Sequence, residues 1–482
     1  MAAMAAAPSS AKIIGPPSHP QCLDVKDSTC LALSTHKSFK FASKIHAKRA
    51  LRPPSGRLWS KWRELQGADN WLGLLPPSPK IRKAVDSYQD GDAAGPCSDF
   101  MDEELRREIL KYGDLSQACY DGFDNDHHSR KRGNCRYSPS ELLGKTVAAR
   151  DQEYEITKYL YATTDLELPR IFPRPRARDE EQGEPWSRDS NWMGFVAVSR
   201  PPLTAEIGRR HIVIAWRGTV TGVEWLENLQ DYLMPVGLDP RDRSTAGVKV
   251  ESGFLDIYTA SKSRSRYNKL SARQQLICEL RRLIAQFQAD GEAVSVTVTG
   301  HSLGGALALL SAYDLAELGI AGDKTQIPAT VVSFSAPRVG NRCFAARCRE
   351  LDLKVLRVVN TRDIVPKVPG IFVNEQRQWM SGAIGEMIPW AYSHVGTEVA
   401  LDCGVSPYLR RGANLAGWHN LEGLLHLVDG YRGPYRGFEP SGRRDLALVN
   451  KDSDLLDPSL GIPSFWGSKQ PVPFTFSLQP AR

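Results

Sequence analysis

No run in this 482-residue chain approaches the 18 apolar residues that a membrane-spanning helix needs. The nine cysteines are odd in number and scattered, without CxxC or metal-ligand spacing. That favours free thiols in a reducing compartment, and leaves Cys119/Cys135 and Cys343/Cys348 as the pairs to consider. A dominant charge is missing too: 62 Lys and Arg are interleaved with 55 Asp and Glu, for a net charge of +7. Such a balance carries no nucleic-acid footprint, and the one basic cluster, His127 to Arg132, reads as a solvated loop. At most it biases encounters towards an anionic lipid surface. Internal repeats are absent.

Residues 1–50 also lack the continuous apolar core of a secretory signal. They are rich in Ala and Ser, carry Lys12, Lys26, Lys37, Lys40, Lys44, Lys48 and Arg49, and have only Asp24 and Asp27 as acids. This composition reads as an organellar transit peptide, plastid-like because Arg is scarce before Arg49. The competing reading is a disordered tail with no address. From Leu58, with Trp59, Trp62 and Trp71 close together, the chain becomes globular. We expect a helical part over 51–145, a core over 146–440 and an extension over 441–482. A charged, Pro-rich stretch at 168–189 interrupts the core as an exposed loop.

Within the core the pattern is α/β. Leu105, Ile109, Tyr112 and Cys119 predict an amphipathic helix over 101–120, and strands are expected at 154–161, 193–199 and 211–216. Leu276, Leu280, Leu283 and Phe287 mark a helix over 272–288, followed by strands at 294–299, 330–334 and 354–359. Strands alternating with helices imply a mostly parallel sheet covered on both faces, with its site beyond the C-terminal strand ends.

One of those strand ends carries chemistry. Val294 to Thr299 alternates β-branched residues, then runs into Gly300-His301-Ser302-Leu303-Gly304 and an Ala- and Leu-rich helix. This strand–turn–helix context is what a G-x-S-x-G nucleophile elbow requires, with Gly300, His301 and Gly304 beside Ser302. A serine nucleophile needs a base, and the base an orienting acid, in the order Ser, Asp, His. Asp363 follows the strand 354–359, although a carboxylate before Pro366 also suits a plain turn cap. His394, His419 and His426 come after it. His419 opens a loop that runs into a helix, from which a base can reach the strand ends; His394 and His426 read as packed residues. Leu303 would supply one oxyanion N–H, and Thr219, after Ala215-Trp216-Arg217-Gly218, the second.

Together these elements resemble the class 3 lipase family of fungal type, an α/β-hydrolase fold with a mostly parallel central sheet and a short lid. The matching segments are Ala215 to Thr219 with Trp225 and Leu229, Gly300 to Gly305, Asn360 to Pro366, and His419-x-Leu421. The resemblance places the catalytic serine, aspartate and histidine on Ser302, Asp363 and His419, and the oxyanion residues on Thr219 and Leu303. It makes Val220 to Leu229 the lid, with Val223, Trp225 and Leu226 as its lipid contacts. Trp62 to Gly67, Gln117 to Asp121, Tyr392 to Gly396 and Leu448 to Lys451 further resemble the plant class I phospholipase A1 group. That group implies plastid import and release of the sn-1 acyl chain from phospholipids or galactolipids, with products that feed jasmonate and oxylipin synthesis. The insertion at 168–189 departs from the pattern.

The expectation is therefore a serine hydrolase of plastid membrane glycerolipids, peripheral to the membrane, needing no metal or organic cofactor and no nucleic-acid partner. Two rivals stand beside it. One is the same chemistry on tri-, di- or monoacylglycerols or simpler esters. The other is a lipase-like signalling adaptor, disfavoured because only about 40 residues follow Pro440, too few for the long helical domain such adaptors carry.

Overall fold

Among the described residues eleven strands run β1 (Tyr154–Ala162), β2 (Asn191–Ser199), β3 (Arg210–Trp216), β4 (Leu233–Pro235), β5 (Lys249–Glu251), β6 (Val294–His301), β7 (Ala329–Phe334), β8 (Gly340–Asn341), β9 (Lys354–Asn360), β10 (Tyr392–Ser393) and β11 (Thr397–Leu401). The computed structural model describes residues 103–126, 128–163, 190–219, 233–238, 247–319, 329–369, 392–412, 415–432 and 437–467. These fall within one compact unit, Ser55–Arg482. The expected transit segment 1–50, Trp59, Trp62 and Trp71, the Pro-rich stretch 168–189 and the expected lid residues Val223, Trp225 and Leu226 lie outside the described residues.

The main sheet has the order β1-β2-β3-β6-β7-β9-β11. From β3 to β11 every pairing is parallel, while β1 and β2 add an antiparallel edge. Seven helices matter for the argument: α1 (Glu103–Gly122), α2 (Ser252–Thr259), α3 (Ala272–Ala289), α4 (Leu303–Leu318), α5 (Arg342–Glu350), α6 (Leu415–Trp418) and α7 (Leu421–Gly430). Because successive strands are neighbours, crossovers of one hand place their helices on one face. That face holds α2 to α5, packed on Val294, Val296 and Val298 of β6. The chain's two flanks cover the other face: α1 and α7 pack there on Val213, Val332, Phe334 and Val358. A central helix with neighbours all round must be apolar all round, and α4 is buried from Leu303 to Leu315.

The two faces of β6 differ in kind. Its valines fill the core, whereas Ser295, Thr297 and Thr299 are buried hydroxyls on the α1 side. Thr299 donates to the Val332 carbonyl and meets Ser116 of α1 at 3.0 Å; Thr297 meets His211 Nε2 at 2.9 Å. Burying Thr297 and Thr299 is tolerable because they are paired, whereas the Ser295 Oγ has no hydrogen-bond partner among the described residues. The two threonines also fix the height of α1 against β6, so that its C-terminal turn ends beside the elbow.

The expected helices and strands all appear, with ends displaced by a few residues. A second sheet, of order β10-β8-β5-β4, was not anticipated; strands of two or three residues have no readable period. Helices α2 and α5 were likewise unforeseen. The six described cysteines, Cys119, Cys135, Cys278, Cys343, Cys348 and Cys403, are free thiols, so neither considered pair forms. No helix among the described residues is long and apolar enough to cross a membrane.

Candidate active site

Ser302 stands between β6 and α4 with φ 58° and ψ −128°. That conformation is costly for a residue with a side chain, and it persists because the surroundings over-determine it. The Ser302 N–H donates to the Phe334 carbonyl at 2.9 Å, which pins the turn to β7. Gly304 is needed for a different reason: a Cβ there would stand 2.3 Å from the Trp216 carbonyl oxygen, so only hydrogen lets α4 start against the end of β3. A Cβ on Gly300 would meet the Gly304 backbone at the same distance.

His419 lies between α6 and α7 and completes a line of three groups. Its Nε2 is 2.8 Å from Ser302 Oγ, across 117 residues of chain. Its Nδ1 is 2.7 Å from Asp363 Oδ2, across 56. Asp363 divides its two oxygens: Oδ1 accepts the Val365 N–H at 2.9 Å, leaving Oδ2 for the imidazole. Turn cap and orienting acid are thus one arrangement, and the carboxyl group is completely buried.

Asn360, the last residue of β9, joins the loops of acid and base. Its carbonyl accepts the Asp363 N–H at 2.9 Å, and its Nδ2 donates to the Trp418 carbonyl at 3.0 Å. On the other side of His419, Asn420 caps α7 by accepting the Gly423 N–H at 2.8 Å. Glu422, in the first turn of α7, pairs with Arg444, which also holds Asp114 of α1 at 2.6 Å. Arg150 reaches the other oxygen of Asp114 at 3.0 Å. Burial raises the Glu422 carboxyl above its ordinary pKa, against the pull of Arg444.

The other two histidines are packed elsewhere. His426 Nε2 meets Ser406 Oγ at 2.9 Å between Tyr408 and Phe438, and burial lowers its pKa to about 4. His394 is held neutral chiefly by burial, then by Arg357 and Arg338, with the Pro366 backbone as its hydrogen-bond partner. It therefore props the turn that carries Asp363.

The two expected oxyanion donors stand at two chain ends. Leu303 opens α4, where backbone N–H groups have no carbonyl four residues back. Gly218 lies against the elbow: a Cβ there would stand 3.2 Å from Ser302 Cβ and 2.1 Å from the Tyr120 hydroxyl. Thr219 follows directly and is half-buried. Arg217 behind it is buried, donating to the Trp192 and Gly218 carbonyls at 3.0 and 2.8 Å and lying over the Phe123 ring at 3.7 Å.

Two participants escaped a site reading of the sequence. The Tyr120 hydroxyl is 2.8 Å from Nδ1 of His301, and the His301 ring lies against His419 with 4.6 Å between centroids. Asn360 is the other. Each sits in a segment matched to the family pattern, but contacts across 181 and 58 residues have no local signal.

Comparison with known proteins agrees with this geometry. A family model described as Lipase (class 3) matches residues 213–373. The chain is 45% identical over 414 residues to Arabidopsis thaliana phospholipase A1-Igamma2, chloroplastic, covering 85% of this chain and 73% of that one. It is 43% identical over 419 residues to phospholipase A1-Igamma1, chloroplastic, of the same plant, covering 86% and 75%. Galactolipase DONGLE, chloroplastic, also from Arabidopsis thaliana, is 39% identical over 374 residues, covering 76% and 69%. The chain belongs to the class 3 lipase family, in its plant chloroplast phospholipase A1 group, and is a plastid acyl hydrolase of the serine carboxylic-ester type.

Proposed function

We propose that this site releases the sn-1 acyl chain of plastid glycerolipids, phospholipid or galactolipid, through an acyl-enzyme on Ser302. The observation that carries the reading is the unbroken line Asp363–His419–Ser302, at 2.7 and 2.8 Å, on a strained elbow. The relatives' names, phospholipase A1 and galactolipase, supply the substrate class.

His419 Nε2 takes the Ser302 proton as Oγ attacks the ester carbonyl. Negative charge then grows on the carbonyl oxygen, facing the N–H groups of Leu303 and Thr219. Asp363 Oδ2 holds the Nδ1 proton and steadies the imidazolium. His419 next hands its proton to the leaving lysolipid oxygen, and water attacks the acyl-enzyme by the same route. Losing one oxyanion donor of this kind costs on the order of 3–4 kcal/mol in the transition state. Val220 to Leu229 would be a lid opened at a lipid surface, with Val223, Trp225 and Leu226 towards the lipid. The membrane contact is peripheral, and residues 1–50 act as the plastid transit peptide.

The test uses the chain lacking residues 1–50 and its Ser302→Ala variant, on phosphatidylcholine, monogalactosyldiacylglycerol and triacylglycerol with distinguishable acyl chains. The expected outcome is sn-1 release from the two membrane lipids, abolished by the substitution. Preferential cleavage of triacylglycerol would replace this reading with a general lipase, and hydrolysis surviving in Ser302→Ala would remove Ser302 from its role.

A further inference from the structure

His301 and Tyr120 sit outside the line of proton transfer, yet His301 adjoins Ser302 in the chain and its ring lies against that of His419. We propose that they form a positioning pair for the base, the Tyr120 hydroxyl orienting the His301 ring as a neutral platform on which the His419 ring rests. This inference rests on the acyl-enzyme role of Ser302, but not on any particular lipid headgroup.

Four observations lead to it. First, the rings of His301 and His419 have centroids 4.6 Å apart and planes inclined by 33°, so one lies largely face-on to the other. Second, Tyr120 is placed to hold its neighbour still. Its oxygen is 2.8 Å from His301 Nδ1 but 3.4 Å from the His301 carbonyl, and the Gly218 backbone N–H donates to it. Burial drives the phenol pKa far up, so the group remains a proton donor, and the nearer acceptor is Nδ1. Third, that bond bears on the tautomer. With Nδ1 accepting, a neutral His301 carries its proton on Nε2, a buried atom with no hydrogen-bond partner among the described residues, so the Tyr120 hydroxyl is the contact that fixes the ring. Fourth, His301 stays neutral: burial, and then the neighbouring His419, both oppose its protonation.

A neutral ring is what this place requires. His419 must swing neither away from Asp363 Oδ2 nor out of reach of Ser302 Oγ, and an aromatic face limits the tilt of its plane. As the transition state forms, His419 becomes cationic. A charged neighbour would repel it, whereas a neutral π-face tolerates or favours a cation. The same Tyr120 oxygen also ties Gly218 to the elbow. One hydroxyl thereby sets the oxyanion strand end, the elbow and the platform under the base in a common register.

The experiment compares Tyr120→Phe, His301→Ala and His301→Phe in the full chain. Active serines are titrated with a fluorophosphonate, and kcat and KM on p-nitrophenyl butyrate are expressed per titrated serine. Per-site kcat discounts any loss of folded protein, which a purely structural role would cause. Misplacing a reacting group by 1 Å can cost on the order of 100-fold. His301→Ala should therefore lower kcat by about that factor with KM within about twofold. His301→Phe, which restores a neutral ring without the tie, should recover most of the loss. Tyr120→Phe should lie between wild type and His301→Ala, and carries the test alone if His301→Ala fails to fold. Per-site kcat unchanged within about twofold in Tyr120→Phe or His301→Ala, or no recovery in His301→Phe, overturns the proposal. If the wild type cleaves the butyrate but no glycerolipid, the substrate reading falls and the comparison of variants still reads the pair.

Discussion

Ser302 keeps a backbone conformation that costs on the order of 1–3 kcal/mol, and the residues around it are chosen for what they omit. Gly218 shows this most sharply, since any side chain there would enter the space of the Tyr120 hydroxyl and the His301 carbonyl oxygen. Gly218→Ala should therefore push Thr219 out of line and lower kcat by on the order of 100-fold in steady-state assays, while KM changes little. Asp363→Asn should preserve the shape of the turn yet offer His419 the wrong hydrogen-bonding partner. A drop in kcat of on the order of 10⁴-fold, with little change in unfolding temperature, is the expected result. At this scale much was readable. The glycines, Ser302, Asp363 and His419 carry their meaning in short spacings. Tyr120 and His301 acquire theirs only when α1 meets β6.

The elements that bring the base to the nucleophile are tied by charge as well as by packing. Arg444 joins the first turn of α7 to α1 through Glu422 and Asp114, with little exposure to water. Removing one partner of a buried pair strands the other, at a cost of about 3–5 kcal/mol. Arg444→Met should lose stability of that order in urea unfolding, and Glu422→Gln added to it should restore part of the loss. Neither effect was legible beforehand, because a charge run gives no hint of its distant partners. The parallel sheet was legible, since β3, β6 and β7 are β-branched runs separated by helical periods and β9 is a further run of the same kind. The short strands β4, β5, β8 and β10 were not: they are held by neighbours rather than by a pattern of their own.

On the scale of the whole molecule, several histidines are buried as neutral bases. His211, His301 and His394 are held well below their ordinary pKa, and His426 is lowered to about 4, in each case chiefly by burial. The unfolded chain binds protons at these sites once the pH passes below about 6.5, and the folded chain does not. Stability is therefore whole above that pH and is lost as pH falls towards 4. For His426 alone the difference amounts to about 3 kcal/mol. Asp429 opposes this shift and Arg444 reinforces it. Melting temperatures recorded between pH 7.5 and 4.5 should fall steeply in the wild type and less steeply in His426→Asn.

The main sheet is laid down strand beside strand in chain order on its parallel side, and the base comes after its last strand. A growing chain thus presents the elbow, the oxyanion loop and the acid before it owns a proton acceptor. Any product of interrupted synthesis or of cleavage ahead of His419 would be a lipase in outline that cannot fire. For a hydrolase of lipid esters, late delivery of that imidazole means that no chain cut short before it carries the whole Asp363–His419–Ser302 line.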